Sequence, residues 1–363
     1  MTTLLFYLPF LLLFVLGAGY AERKIAAWIQ DRLGPTEVGY RGLGQPIADL
    51  FKLLQKESIV PAAANKVLFV WAPAWIFVVV FTAFAVLPVT HAWRGAPTAT
   101  GALYLLAMAS LEAVGLFVAG WISHNKYAQL GAMRVLWQFL AYEIPLSLSV
   151  LSVMIVSQTL DLHAIAAQQG LNAPTCTSVS ACWLGTKGID VAQWGGILSW
   201  NILRVPPLCV SYILFFVISL VACHRAPFDL PESESELVGG YHTEYSGLCF
   251  AWLMLTEYSM LLLMSLLGVI LFLGGGHTPF PNLPGLPLGS WTSGLAGTWA
   301  SHIWSGGWLF TKALLIILIQ MIIRWTFPRL RFDQVIRLCW QYLTPAALLL
   351  CLLTLWWQLC TLD

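Results

Sequence analysis

Charge is scarce in this chain. Asp, Glu, Lys and Arg make up only 10% of the residues, against roughly 25% in soluble domains. The formal net charge is +1 and no basic tract occurs, which excludes the electrostatic footprint of a nucleic-acid binder. No GxGxxG is present, so nothing marks a dinucleotide site. The eight cysteines include no CxxC and no His–Cys cluster. The chain alone is therefore expected to hold no zinc, haem or iron–sulfur cluster. No positive charge precedes the first apolar run, and Arg23 and Lys24 follow it. That order excludes a simple secretory signal and suits a first membrane span that enters from outside.

Apolar residues dominate instead, at 59%, and the mean hydropathy is +0.77. About 20 apolar residues span a bilayer core. The expected fold is an all-α polytopic membrane bundle, a single membrane domain over 1–363. About eight transmembrane helices are expected, near 3–21, 67–89, 101–121, 132–157, 200–222, 247–273, 307–326 and 339–360. Between the first two lies a loop, 22–66, in which Ile47, Leu50, Phe51 and Leu54 recur at helical spacing. Asp49, Lys52 and Lys56 take the other faces. This predicts an interfacial amphipathic helix. Lys and Arg crowd the loops on one side, which should be cytoplasmic, with both termini periplasmic. Two long polar loops, near 158–199 and 274–306, then face out. Cys176 and Cys182 share the first of these, where an oxidising compartment would allow a disulfide; two free thiols are the alternative.

Three carboxylates fall inside predicted spans: Glu112, Glu143 and Glu257. Each costs roughly 2.5–3.5 kcal/mol at a helix centre. A structural partner for a buried base is one reading. A proton route is the other, favoured because three separate spans contribute and a low dielectric stabilises the neutral acid. Lys312 in the seventh span is a candidate partner for one of them.

The stretch RAPFDLPESESELVGGYHTEYSG lies in a cytoplasmic loop, 224–246, and carries Asp229, Glu232, Glu234, Glu236 and Glu244 against one strong base, Arg225. Asp229 before Leu-Pro-Glu fits an N-cap with Glu232 at the capping-box position. A helix starting there would put Glu232 and Glu236 on one face and Glu234 on another. A solvated, capped helix is one reading. The other is a proton-responsive cluster, since neighbouring carboxylates alter one another's affinity.

That stretch closely resembles the acidic loop of the H-subunit family of respiratory NADH:quinone oxidoreductase, complex I, whose mitochondrial counterpart is NADH dehydrogenase subunit 1. The segments AERKIAAWIQDRLGPTEVGYRGLGQPIADLFKLLQKE, NKYAQLGAMRVLWQFLAYEIPLSLS, TEYSM and RWTFPRLRFDQV match the family in order. The resemblance implies an eight-span bundle that joins the electron-transfer arm to the proton-pumping membrane arm of the bacterial inner membrane. It implies quinone as substrate, with flavin and iron–sulfur clusters in partner subunits. Glu112, Glu143 and Glu257 would form a proton route. Glu232, Glu234 and Glu236 would couple it to quinone chemistry, and Glu22, Gln30, Arg32, Arg225 and Asp229 would line or shape the quinone chamber. One departure stands out: many relatives carry a glutamate three residues before the loop arginine, where this chain has Ala222. His224 is nearby; a polar helix end is the commoner reason for such a residue, and no role is expected of it. A related membrane subunit of an energy-converting hydrogenase or formate hydrogenlyase is the alternative. A stand-alone secondary transporter is a third, opposed by the absence of evident paired broken helices.

Overall fold

A computed structural model describes residues 2–90, 95–170, 195–282, 288–294 and 298–362, apart from the side chains of 2–6, 234–235 and 361–362. Cys176 and Cys182 lie outside the described residues, as does the side chain of Glu234. The regular elements are helices. In chain order they are α1 (Thr2–Ile29), α2 (Gln45–Gln55), α3 (Lys66–Ala83), α4 (Gly101–Ile122), α5 (Lys126–Ser157), α6 (Leu162–Ala167), α7 (Pro206–Ala222), α8 (Gly247–Phe272), α9 (Trp299–Thr326), α10 (Phe332–Arg337) and α11 (Thr344–Leu362). A π-helical turn, Leu338–Leu343, joins the last two into one rod.

Six helical segments among the described residues are long and apolar enough to cross a membrane: those beginning at Lys66, Gly101, Lys126, Gly247, Trp299 and Phe332. They coincide with six of the eight predicted spans. The fifth predicted span is the shorter α7, preceded by a separate turn, Asn201–Arg204, because Pro206 and Pro207 open a new helix. The first extends well past its predicted end, so the charged Glu22, Arg23 and Lys24 ride on α1 rather than in a loop. Helix starts follow local chemistry. Asn65 accepts from the backbone N–H of Val67 at 3.1 Å, and Asn125 from that of Tyr127 at 2.9 Å.

α8 is the central post. Every residue from Ser259 to Phe272 is buried, as expected of a helix apolar on all sides. α1, α3, α7 and α9 pack around it, and α2 lies across α1 and the start of α8. The loop after α7 is seated on α5 through glycines. A Cβ on Gly131 would come within 2.9 Å of the Tyr241 nitrogen. Gly240 has φ +57° and a Cβ there would strike the Pro231 carbonyl at 1.6 Å. This close approach places Tyr241 and His242 against α4 and α5.

Candidate functional site

Four elements deliver charge to one buried point. Glu22 comes from α1, Arg225 from the turn just after α7, Glu257 and Tyr258 from α8, and Arg324 from the end of α9. Arg225 Nη1 donates to Glu22 Oε1 at 2.9 Å and Oε2 at 3.1 Å. Its Nε lies 3.0 Å from Glu257 Oε1. The Tyr258 hydroxyl donates to Glu22 Oε2 at 2.6 Å, and Arg324 adds a second guanidinium to Glu22. The Arg225 side chain is only 4% exposed, and its guanidinium lies 4.7 Å from the Tyr258 ring centroid. Two carboxylates thus face two guanidiniums. Such an arrangement compensates the desolvation that a lone buried charge would suffer.

A cavity of about 670 Å³ opens on one side of this cluster. Its wall is Leu12, Leu16 and Gly19 of α1, Pro46, Leu50 and Leu53 of α2, and Phe250, Trp252 and Leu255 of α8, among others. Glu22, Arg23, Arg32, Asp49, Tyr258 and Arg324 supply polar groups. The α1–α2 seam is clasped by Arg23 on Asp49 at 2.5 Å. A cavity mostly apolar with a few converging polar groups, within the ~300–1,000 Å³ of small-molecule sites, has the general form of a ligand site. Of the residues expected to form such a chamber, Glu22 and Arg32 are on its wall. Gln30 holds Arg32 by accepting from its Nε at 2.6 Å. Arg225 and Asp229 stand behind the wall.

On the other side of the cluster lie the remaining membrane acids. Glu257 and Glu112 line one small shared cavity. The fully buried Tyr142 is within electrostatic reach of both Glu112 and Glu143. Glu143 accepts from Ser110 at 2.8 Å, and its Oε2 is unpartnered among the described residues. The three predicted acids therefore run as a series from the ion cluster into the bundle. Lys312 is not their partner, contrary to expectation. Its ammonium donates to the carbonyls of Leu273, Gly275 and His277 at 2.7–3.0 Å, just beyond the end of α8. Unsatisfied carbonyls and the negative end of the helix dipole hold it there.

The acidic loop also departs from expectation. Asp229 is no N-cap: its Oδ2 accepts from Arg329 at 2.9 Å, a charge-assisted bond stronger than one to a backbone amide. The α-helical turn in the loop, Glu234–Leu237, starts after Ser233 instead. Glu232 and Glu236 do not share a face. Glu232 accepts from the Tyr241 hydroxyl at 2.9 Å and pairs with His242 Nε2 at 2.7 Å. Glu236 pairs with Arg134 at 2.6 Å, and Glu244 accepts from Asn125. Carboxylates crowded in sequence are thus dealt out to separate partners. Burial and the neighbouring Glu232 charge push Asp229 up to about 6. Burial also pushes Glu232 upward, but His242 and Tyr241 overcome it and bring it down to about 2. Arg324, Arg329, Tyr241, His242 and Tyr258 carry these contacts without being among the residues predicted for the site. The RWTFPRLRF and TEYSM runs contain three of them, but nothing local reveals whom they meet.

Among the described residues, no group of three His, Cys, Asp or Glu side chains is placed to hold a metal ion. The NADH dehydrogenase family model matches residues 2–355. The chain is 47% identical to the second H subunit of the NADH-quinone oxidoreductase of Cytophaga hutchinsonii, over 98% of each chain. It is 43% identical to the H subunit of the NADH-quinone oxidoreductase of Chlorobaculum parvum, over 96% of this chain and 90% of that one. It is 39% identical to the corresponding H subunit of a Geobacillus species, over 93% and 87%.

Proposed function

Since the chain belongs to the NADH dehydrogenase family and is a membrane subunit of the NADH-quinone oxidoreductase kind, we propose that its α1–α2–α8 cavity admits quinone and that the buried carboxylates couple quinone reduction to proton translocation. The observation that carries this is the position of Glu22. It stands on the cavity wall and hydrogen-bonds directly to Arg225, whose guanidinium is in turn ion-paired with Glu257. A change of charge in the cavity alters the field at Glu22 and hence the hold of Arg225 on Glu257. Glu257 shares a cavity with Glu112, so a shift in its proton occupancy is felt there. The acidic loop joins through Arg225 itself and through Asp229, which feels Glu232, Arg329, Arg324 and Arg225. Flavin and iron–sulfur clusters belong to partner subunits of the peripheral arm; this chain supplies walls, charges and proton positions, and is not catalytic alone. It sits in the bacterial inner membrane with both termini periplasmic. Names of relatives and the chamber beside the ion cluster both support a quinone enzyme; no observation favours the hydrogenase reading.

The test is photo-crosslinking. A quinone bearing a photoreactive group on its ring or tail, added to the membrane-embedded complex, is expected to label residues 46–54 and 248–258. Unlabelled quinone should compete. Labelling confined to lipid-facing α11, or none that competes, would remove the chamber from the proposal.

A further inference from the structure

His224 follows α7 with a side chain that is almost wholly enclosed, and neither ring nitrogen has a hydrogen-bond partner among the described residues. The same holds for Glu112 Oε2. An unsatisfied buried polar group is costly, so two such side chains side by side call for a shared partner. Both line the same small cavity, which Cys223, Tyr241, Thr256 and Glu257 help to complete. Its volume is about 10 Å³, close to the ~10–15 Å³ that the centre of one water needs. A buried water takes two to four polar contacts. Thr256 can only accept from it, because its hydroxyl proton already goes to the Trp252 carbonyl at 2.9 Å.

We propose that this space is a single-water site and that His224 is the positioning residue that anchors the water against Glu112. Burial brings the imidazole down to about 4 although the Glu232 charge pulls the other way. The ring is therefore neutral, with one nitrogen to donate and one to accept. The consequence rests on the functional reading above. Glu112 releases its proton to the water as the water releases one of its own to Glu257. The two carboxyl groups exchange protonation, only O–H bonds break and form, and the water and His224 end unchanged. The anchor matters because a water free to turn away from Glu112 breaks that exchange.

The test uses the assembled complex in three forms: native, His224→Gln and His224→Leu. His224 has φ +50°, and Gln and Leu meet the same backbone penalty there. Their difference therefore isolates the polar atoms. A high-resolution map of the native complex is expected to hold one ordered water within ~3.2 Å of Glu112 Oε2 and of a His224 nitrogen. His224→Leu is expected to lose it and to lower proton pumping about tenfold, with electron delivery to an artificial acceptor on the peripheral arm unchanged. His224→Gln should restore both the water and most of the pumping. A native map without that water would overturn the proposal. So would full pumping in His224→Leu, or a loss in His224→Gln equal to that in His224→Leu. A native complex with no NADH-dependent quinone reduction would remove the functional reading, while the map alone would still decide the water site.

Discussion

Arg225 is the residue on which most charge converges, since Glu22 and Glu257 both depend on it. Arg225→Met leaves both carboxylates buried with less compensation, at an expected cost of about 3–5 kcal/mol. The readout is the amount of assembled complex extracted in mild detergent. Adding Glu257→Gln should recover part of that amount; equal yields from the single and double variants would mean the pair is not coupled. His224 makes a pH prediction at the same scale. Its folded value near 4 lies below the unfolded 6.5, so the unfolded state binds more protons between them. The stabilising contribution is thus complete above about 6.5 and is lost as pH falls toward 4. Asp229, pushed up, works in the opposite sense in that window, so the informative quantity is the difference between native and His224→Gln proteins. Protection from hydrogen exchange across 224–246, corrected for the intrinsic pH dependence of amide exchange, should fall on going to pH 4.5 by roughly 2–3 kcal/mol more in the native chain. An identical loss of protection in both would contradict a buried neutral imidazole.

At the scale of elements, the amphipathic helix and the acidic loop differ in how far sequence reveals them. α2 was legible because its information is local: Leu50 and Leu54 fall on the cavity side at the expected spacing. Leu50→Trp should therefore narrow the chamber and raise the KM for quinone about tenfold, a loss of ~1.4 kcal/mol. NADH oxidation by an artificial acceptor should not change; an unchanged quinone KM would place Leu50 off the path. The acidic loop was legible as a crowd of carboxylates, but not as a set of pairs. Asp229 meets Arg329, and Glu236 meets Arg134, about 100 residues away in each case. Local capping rules see Leu-Pro-Glu and cannot see those partners. The partners of Lys312 were hidden for the same reason, because they are backbone carbonyls just beyond the end of α8, remote in sequence. The intramembrane acids were found by their cost in hydrocarbon, which needs no knowledge of partners.

Across the whole molecule, the proposed coupling route is one series of side chains from the chamber toward the bundle interior: Glu22, Arg225, Glu257, Glu112, Tyr142 and Glu143. Glu143 stands at its far end with one oxygen on Ser110. Glu143→Gln keeps the volume and that hydrogen bond while removing the titratable proton. It should assemble normally and lower proton-coupled quinone reduction about tenfold or more, read as proton uptake by sealed vesicles; full pumping would exclude Glu143 as a required carrier. The most direct measurement is purification of the tagged chain from native membranes in mild detergent, with NADH-dependent quinone reduction assayed on the eluate. Co-purifying flavin, iron–sulfur clusters and inhibitor-sensitive quinone reduction are expected. A nickel–iron hydrogenase in the eluate, or a lone chain that transports ions by itself, would contradict the quinone-coupled role.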